Sequence, residues 1–79
     1  MSELLLYYKP SCPYCQRVLG YMQGEGIGIP MKNIDADSHL RKELTAMGGK
    51  AQVPCLMIDG KVLYESSDII EWLKKNYHP

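Results

Sequence analysis

Two hydrophobic periodicities follow one another along the first third of the chain. A continuous apolar and aromatic run, Leu4 to Tyr8, is typical of a strand that is buried on both faces. Beyond it, Val18, Leu19 and Met22 recur at helical spacing. The helix is predicted to begin at Pro13, where the missing N–H costs nothing, and to close in a glycine-rich segment. The pattern therefore predicts a buried strand followed by an amphipathic helix.

The middle of the chain repeats this arrangement. A second strand is predicted over residues 29–34, where Pro30 indicates an edge position or a strand start. Asp37 or Ser38 can cap a second helix, which Gly48 and Gly49 end. The apolar face of this helix comprises Leu40, Leu44 and Met47, and the face expected to contact water comprises Arg41, Lys42 and Glu43.

The last third predicts a β-hairpin and a third helix. Two apolar runs flank Asp59 and Gly60, a pair that favours a tight primed turn. The helix starts near Ser67 or Asp68, and Asp68 with Glu71 resembles a capping box. The order is βαβαββα, in which the first βαβ unit is parallel with a right-handed crossover. We therefore expect an α/β fold with a mixed four-stranded sheet flanked by helices.

Length and charge narrow the possible functions. The chain has 79 residues, so we expect residues 1–79 to form a single domain. Nine Lys and Arg residues balance nine Asp and Glu residues, which removes the electrostatic case for nucleic acid or an anionic membrane as partner. No apolar run approaches the length of a membrane span, and the first residues lack the features of a signal peptide. We therefore expect a cytoplasmic protein.

Two cysteines two residues apart are the candidate chemical group. Cys12 falls at the predicted start of the first helix, where free amides and the helix dipole favour the nucleophilic thiolate. Cys15 lies one turn further on and is placed to attack a mixed disulfide formed on Cys12. Pro13 fixes the turn between them, and Lys9 adds positive charge nearby. The pair predicts redox chemistry.

A zinc site is the competing interpretation of this pair. The other candidate ligands, Cys55, His39 and His78, lack ligand-like spacing, so we expect no metal. Both histidines are interpreted as surface residues. Two interpretations of Cys55 stay open: a buried strand residue, or a third redox-active thiol close to the site.

Three motifs in order make the chain resemble a dithiol glutaredoxin. They are Cys-Pro-Tyr-Cys at residues 12–15 after a strand, Val-Pro at 53–54 before the hairpin, and Ser-Ser-Asp at 66–68 opening the last helix. The resemblance implies a thioredoxin-like (glutaredoxin) fold and a thiol-disulfide oxidoreductase that draws electrons from glutathione. The implied partners are glutathione and disulfide-containing or glutathionylated proteins, and we expect a monomer.

The resemblance also implies residues that bind glutathione. Pro54 would follow a cis peptide bond, and the backbone of Val53 would pair with the ligand beside Cys12. Backbone amides of Ser67 and Asp68 at a helix N-terminus would hold the γ-glutamyl carboxylate, and the Asp68 side chain would hold its ammonium group. The other implied contacts are Lys9 for the glycyl carboxylate, with Lys50 as the alternative, Tyr14 beside the ligand, and the backbone of Gln52.

Glu65 and Ser66 depart from the glutaredoxin pattern, which usually has Gly-Cys or Gly-Gly at this place. Here the chain is similar to the N-terminal domains of glutathione transferases, so the γ-glutamyl contacts could shift to Glu65 and Ser66. A transferase-like module therefore stays open as an alternative function. A second alternative is a protein that binds an iron–sulfur cluster through Cys12 and glutathione, although Pro13 and the second cysteine argue against it.

Overall fold

The computed structural model describes residues 3–77, so that His78 lies outside the described residues. The described part contains four strands and three helices in the predicted order βαβαββα, which is confirmed. The elements are β1 (Leu4–Tyr8), α1 (Pro13–Glu25), β2 (Met31–Asn33), α2 (Ser38–Gly48), β3 (Cys55–Ile58), β4 (Lys61–Leu63) and α3 (Ser66–Asn76).

The strands form one mixed sheet in the order β2-β1-β3-β4. Strand β1 pairs in parallel with β2 and antiparallel with β3, and β4 pairs antiparallel with β3. The continuous apolar run of β1 therefore occupies a central position, which explains why Leu6 and Tyr7, on its two opposite faces, are both buried. The loop that follows β1 leads directly into α1 and carries the cysteine motif.

Two apolar clusters cover the two faces of this sheet. Leu6 of β1 and Leu56 of β3 belong to the cluster beneath α1 and α3. Their neighbours Tyr7 and Cys55 are paired with each other and belong to the cluster beneath α2, together with Leu44. Since successive side chains of a strand point to opposite faces, the sheet separates these clusters. No helix among the described residues is long and apolar enough to cross a membrane.

Helix α2 packs Leu40 and Leu44 on the sheet as predicted, but two of its other residues differ from the sequence prediction. Met47, predicted on the apolar face, is 46% exposed, whereas Glu43, predicted in water, is half-buried. The cause is the Tyr7 hydroxyl, which is buried in the sheet and donates to Glu43 Oε1 at 2.9 Å, while Lys32 Nζ donates to the same oxygen at 3.1 Å. Burial and the hydrogen bond to Glu43 raise the pKa of Tyr7 to about 12. A buried hydroxyl needs a partner, and this need turns Glu43 toward the sheet.

Two predicted boundaries are also wrong. Strand β2 covers Met31–Asn33 rather than residues 29–34, since Pro30 has no N–H to donate to the ladder. Helix α3 begins at Ser66, earlier than predicted, and its N-cap residue is Glu65. The predicted capping box is therefore absent, because Asp68 already lies inside the helix and the N-cap makes no side-chain hydrogen bond.

The local turn and cap signals were predicted correctly. The Asp37 side chain caps α2 by accepting a hydrogen bond from the backbone N–H of His39 at 2.9 Å. Asp59 and Gly60 both have positive φ, 51° and 85°, as a type I′ hairpin turn requires.

Candidate active site

Cys12 is the N-cap residue of α1 and is half-buried. Partial burial opposes ionisation of its thiol, but several favourable interactions outweigh it and hold the pKa of Cys12 below its ordinary value. These are hydrogen bonds from the backbone and thiol of Cys15, a hydrogen bond from the backbone of Tyr14, and the charge of Lys9. The free amides of the first helical turn thus converge on one sulfur, and the thiolate is its nucleophilic form.

Cys15 has the opposite electrostatic environment. Its side chain is fully buried, and burial raises its pKa to about 11. The backbone N–H of Lys9 donates to its Sγ atom at 3.4 Å and works against this effect, whereas the neighbouring Cys12 sulfur adds to it. The pair therefore combines one easily ionised thiol with one that keeps its proton.

The main chain of Val53 lies directly beside the Cys12 sulfur. The Val53–Pro54 peptide bond is cis, as expected. Cys12 Sγ lies 3.9 Å from the carbonyl oxygen of Val53 and donates a weak hydrogen bond to it. The contact brings the loop before β3 next to the candidate nucleophile.

A hollow of about 350 Å³ opens next to this contact. Its lining joins three segments of the chain: the first turn of α1, the loop before β3 and the start of α3. At its mouth, Tyr14 is 60% exposed. The lining residues are Tyr14, Gln52, Val53, Pro54, Glu65 and Ser66.

The remaining predicted binding residues lie around the hollow rather than in its lining. Ser67 and Asp68 are exposed at the second and third positions of α3, so that their amides are still among the free amides of a helix start. Lys9 interacts with the cysteine pair, as described above. Lys50 points elsewhere, since its Nζ atom lies 4.6 Å from the centre of the Tyr64 ring. Of the four residues predicted at the start of α3, Glu65 and Ser66 line the hollow and Ser67 and Asp68 do not.

Cys55 lies on the other face of the sheet. It is fully buried against Tyr7 and Leu44, and burial raises its pKa to about 11. Cys15, by contrast, lies in α1, which covers the opposite face. The arrangement favours the interpretation of Cys55 as a buried strand residue.

Tyr64 is a residue of this region to which the sequence analysis gave no role. Its hydroxyl donates to the carbonyl oxygen of Lys50 at 3.1 Å, in the loop that leads to Val53. In the sequence, only the position of Tyr64 directly before the predicted binding residue Glu65 could have indicated a role near the site.

A second, larger hollow lies at the far end of the sheet. It measures about 580 Å³ and its lining is mostly apolar, with Glu3, Gly60 and Tyr77 at its border. No residue of the cysteine motif lines it, whereas the smaller hollow is lined by Tyr14 of that motif and by Val53, whose carbonyl oxygen contacts Cys12 Sγ, so the smaller hollow is the candidate active site. Within residues 3–77, no group of three or more His, Cys, Asp or Glu side chains is placed to hold a metal ion.

Comparison with known proteins identifies the family of this chain. The model of the family described as glutathione S-transferase, N-terminal domain, matches residues 6–79. Glutaredoxin 3 of Escherichia coli (strain K12) is 28% identical over 69 residues, which cover 87% of this chain and 83% of that protein.

Two solved structures show the same fold. Glutaredoxin C1 of Populus tremula x tremuloides, in its holo form, superposes with a TM-score of 0.72 and 25% identity over 94% of this chain and 76% of that one. Glutathione transferase Omega 3C of Trametes versicolor superposes with a TM-score of 0.79 and 26% identity over 98% of this chain, which spans only 36% of the transferase. The chain therefore belongs to the family of glutathione S-transferase N-terminal domains, with the thioredoxin-like fold that glutaredoxins also have.

Proposed function

We propose that this protein is a glutathione-dependent thiol-disulfide oxidoreductase of the glutaredoxin kind, acting in the reducing cytoplasm. Cys12 is its nucleophile and Cys15 its resolving thiol. The observation that carries the proposal is the placement of Cys12 as the N-cap residue of α1 with Cys15 fully buried one turn further on, an arrangement that lowers the pKa of Cys12 and raises that of Cys15 to about 11. The glutaredoxin relatives support the same activity.

The first step takes place at Cys12. Its thiolate attacks the glutathione sulfur of a mixed disulfide, a new S–S bond joins Cys12 to glutathione, and the released protein thiolate takes a proton from water. A second glutathione thiolate then attacks the adduct, which yields glutathione disulfide and restores the Cys12 thiolate. Cys15 is not needed in this route.

A protein disulfide requires Cys15. After Cys12 has formed a mixed disulfide with the substrate, Cys15 loses its proton and attacks Cys12 Sγ, which closes the Cys12–Cys15 disulfide and releases the second substrate thiolate. The charge of the Cys12 thiolate is one cause of the raised pKa of Cys15. Because this charge disappears when Cys12 enters a disulfide, Cys15 becomes easier to ionise at the step that needs it. Two glutathione molecules then reduce the internal disulfide and leave as glutathione disulfide.

Glutathione is proposed to bind in the hollow beside Cys12. Its cysteinyl unit pairs with the backbone of Val53, and Tyr14 and the backbone of Gln52 flank it. Its γ-glutamyl unit meets the start of α3, where four residues offer amides and carboxylates, and Lys9 meets its glycyl carboxylate. The four residues at the helix start are Glu65, Ser66, Ser67 and Asp68.

Two serine variants test the assignment. Cys12→Ser should abolish turnover of every disulfide substrate, because no nucleophile remains. Cys15→Ser should keep the release of glutathione from a glutathionylated peptide but lose reduction of a protein disulfide. Cys55→Ala is the matched control, since its thiol lies on the other sheet face, and it should retain both activities. Wild-type turnover by Cys12→Ser would contradict the proposal.

The lining of the hollow by Glu65 and Ser66 favours a second candidate, a transferase-like module that conjugates glutathione to an electrophile. The match to the glutathione S-transferase N-terminal family supports it as well. The two candidates differ in their need for Cys12. Conjugation of 1-chloro-2,4-dinitrobenzene that survives Cys12→Ser would favour the transferase over the oxidoreductase.

A further inference from the structure

Tyr64 connects two segments that meet at the candidate site, the start of α3 and the loop before β3. It follows β4 and directly precedes Glu65, the N-cap residue of α3. Its hydroxyl donates to the carbonyl oxygen of Lys50 at 3.1 Å, and its ring lies under the Lys50 ammonium at 4.6 Å. One side chain thus holds both the backbone and the side chain of Lys50.

The glycine at the end of α2 leaves space for the Tyr64 side chain that makes this hydrogen bond. A Cβ atom at Gly48 would collide with the Tyr64 hydroxyl and would lie only 3.0 Å from the ring carbon that carries it. The backbone of Gly48 is not in the left-handed region, so the glycine is explained here by the close approach of Tyr64 rather than by its dihedral angles.

A second hydrogen bond runs beside the first. Gln52 Nε2 donates to Glu65 Oε1 at 3.2 Å, at an exposed position. Consecutive residues, Tyr64 and Glu65, therefore hold Lys50 and Gln52. The next residue of the loop is Val53, whose carbonyl oxygen lies 3.9 Å from Cys12 Sγ.

We propose that Tyr64 is a positioning residue, whose hydroxyl holds the loop of residues 49–53 in the conformation that presents the Val53 backbone to the substrate bonded to Cys12. This inference rests on the proposed oxidoreductase function. Without the hydroxyl, the loop loses its hydrogen bond at Lys50 and keeps the contact between the Lys50 ammonium and the ring and the bond between Gln52 and Glu65, so the substrate must order part of the loop on binding. Ordering costs affinity, so the loss appears in KM.

No group of Tyr64 acts directly on the Cys12 thiol. The groups that lower the pKa of Cys12 belong to Lys9, Tyr14 and Cys15, all of which precede the loop in the chain. The variant Tyr64→Phe should therefore leave kcat and the pH profile of Cys12 alkylation unchanged. This separation distinguishes a positioning role from general destabilisation.

The test compares Tyr64→Phe with Tyr77→Phe. Tyr77 is a matched control because its hydroxyl also donates to a backbone carbonyl, that of Gly28 at 3.4 Å, away from the site. Amide hydrogen exchange of residues 49–53 measures the loop directly, and turnover of a synthetic glutathionylated peptide gives KM and kcat. We expect faster exchange in this loop and a KM raised about three- to tenfold for Tyr64→Phe only, as the loss of one hydrogen bond produces.

The experiment distinguishes a failure of the proposed oxidoreductase function from a failure of the proposed role of Tyr64. An inactive wild-type protein contradicts the proposed function itself, whatever Tyr64→Phe does. An active wild type whose Tyr64→Phe variant has the exchange rates and KM of Tyr77→Phe overturns the role of Tyr64. A fall in kcat together with a shifted Cys12 profile also overturns it, because Tyr64 would then act on the nucleophile rather than on the loop.

Discussion

The backbone amide of Lys9 donates a hydrogen bond to the buried Sγ atom of Cys15 at 3.4 Å. The side chain of the same residue contributes positive charge to Cys12. Lys9 thus donates to the Cys15 sulfur through its main chain, while its ammonium charge lowers the pKa of both cysteines. Since substitution changes only the side chain, these two influences can be separated by experiment.

Replacing Lys9 by Gln should make Cys12 less reactive at neutral pH. Its pKa rises toward the ordinary value when the charge is removed, so less thiolate is present. Because charge pairs near the surface are worth up to about 1 kcal/mol, the alkylation rate with iodoacetamide should fall by up to about fivefold. Arg17→Gln, on the exposed face of α1, is the charge-matched control and should alkylate as the wild type does. Equal rates for both variants would show that the Lys9 charge does not reach the thiol.

Stability should fall in alkaline solution, and Cys55 should account for part of the fall. A thiol whose folded pKa is raised contributes stability that is fully present below its unfolded pKa and is lost as pH rises through the folded value, about 11 for Cys55. Each such thiol adds a slope of up to about 1.4 kcal/mol per pH unit. Urea unfolding between about pH 8 and about pH 10 should therefore give Cys55→Ala a shallower decline than the wild type. Parallel declines would contradict the burial of this thiol.

The hydrogen bond from Tyr7 to Glu43 should couple α2 to the sheet. Tyr7→Phe removes the buried donor and should cost about 0.5–1.5 kcal/mol of the free energy of unfolding. Glu43→Ala leaves the buried hydroxyl without its carboxylate acceptor and should cost more, about 1–3 kcal/mol. In the double variant the second change should cost little, because the shared bond is already absent. Strictly additive losses in urea unfolding would show that the bond carries no net stability.

Two glycine substitutions should have effects of opposite sign. Gly20 lies in the middle of α1 with open space around its missing side chain, so Gly20→Ala should stabilise the protein by about 0.5–1 kcal/mol. Gly48→Ala should destabilise it by about 1–3 kcal/mol, because the new Cβ collides with the Tyr64 hydroxyl. Thermal unfolding of both variants measures these opposite changes as a raised Tm for Gly20→Ala and a lowered Tm for Gly48→Ala. A stabilising Gly48→Ala would show that Tyr64 can move aside at no cost.

The features predicted correctly from the sequence depend on neighbours in the chain. The buried strand β1, the helix that begins at Pro13 beside Cys12, and the turn at Asp59 and Gly60 each follow from a short local pattern. For the same reason the placement of the two cysteines could be predicted. Local rules of propensity and turn chemistry decide such elements, whatever packs on them later.

The features predicted wrongly depend on contacts distant in the chain. Glu43 looked like a water-facing residue because its helical neighbours are charged, and only the buried hydroxyl of Tyr7 explains its position. The capping pattern favoured a helix start near Ser67 or Asp68, whereas α3 begins at Ser66 and its N-cap residue, Glu65, has a φ of 70°. Periodicity identifies the helix but does not fix its first residue.

The large apolar hollow lies at the end of the sheet opposite Cys12, and both Glu3 and Tyr77 border it. The backbone of Glu3 is fastened there by two hydrogen bonds with Asp59, at 2.7 and 2.9 Å. A fluorescent reporter or an immobilisation linker attached to the exposed side chain at position 3 therefore lies at the opposite end of the sheet from the reactive sulfur. A protein labelled at this position consequently leaves the surface around Cys12 open to large disulfide substrates.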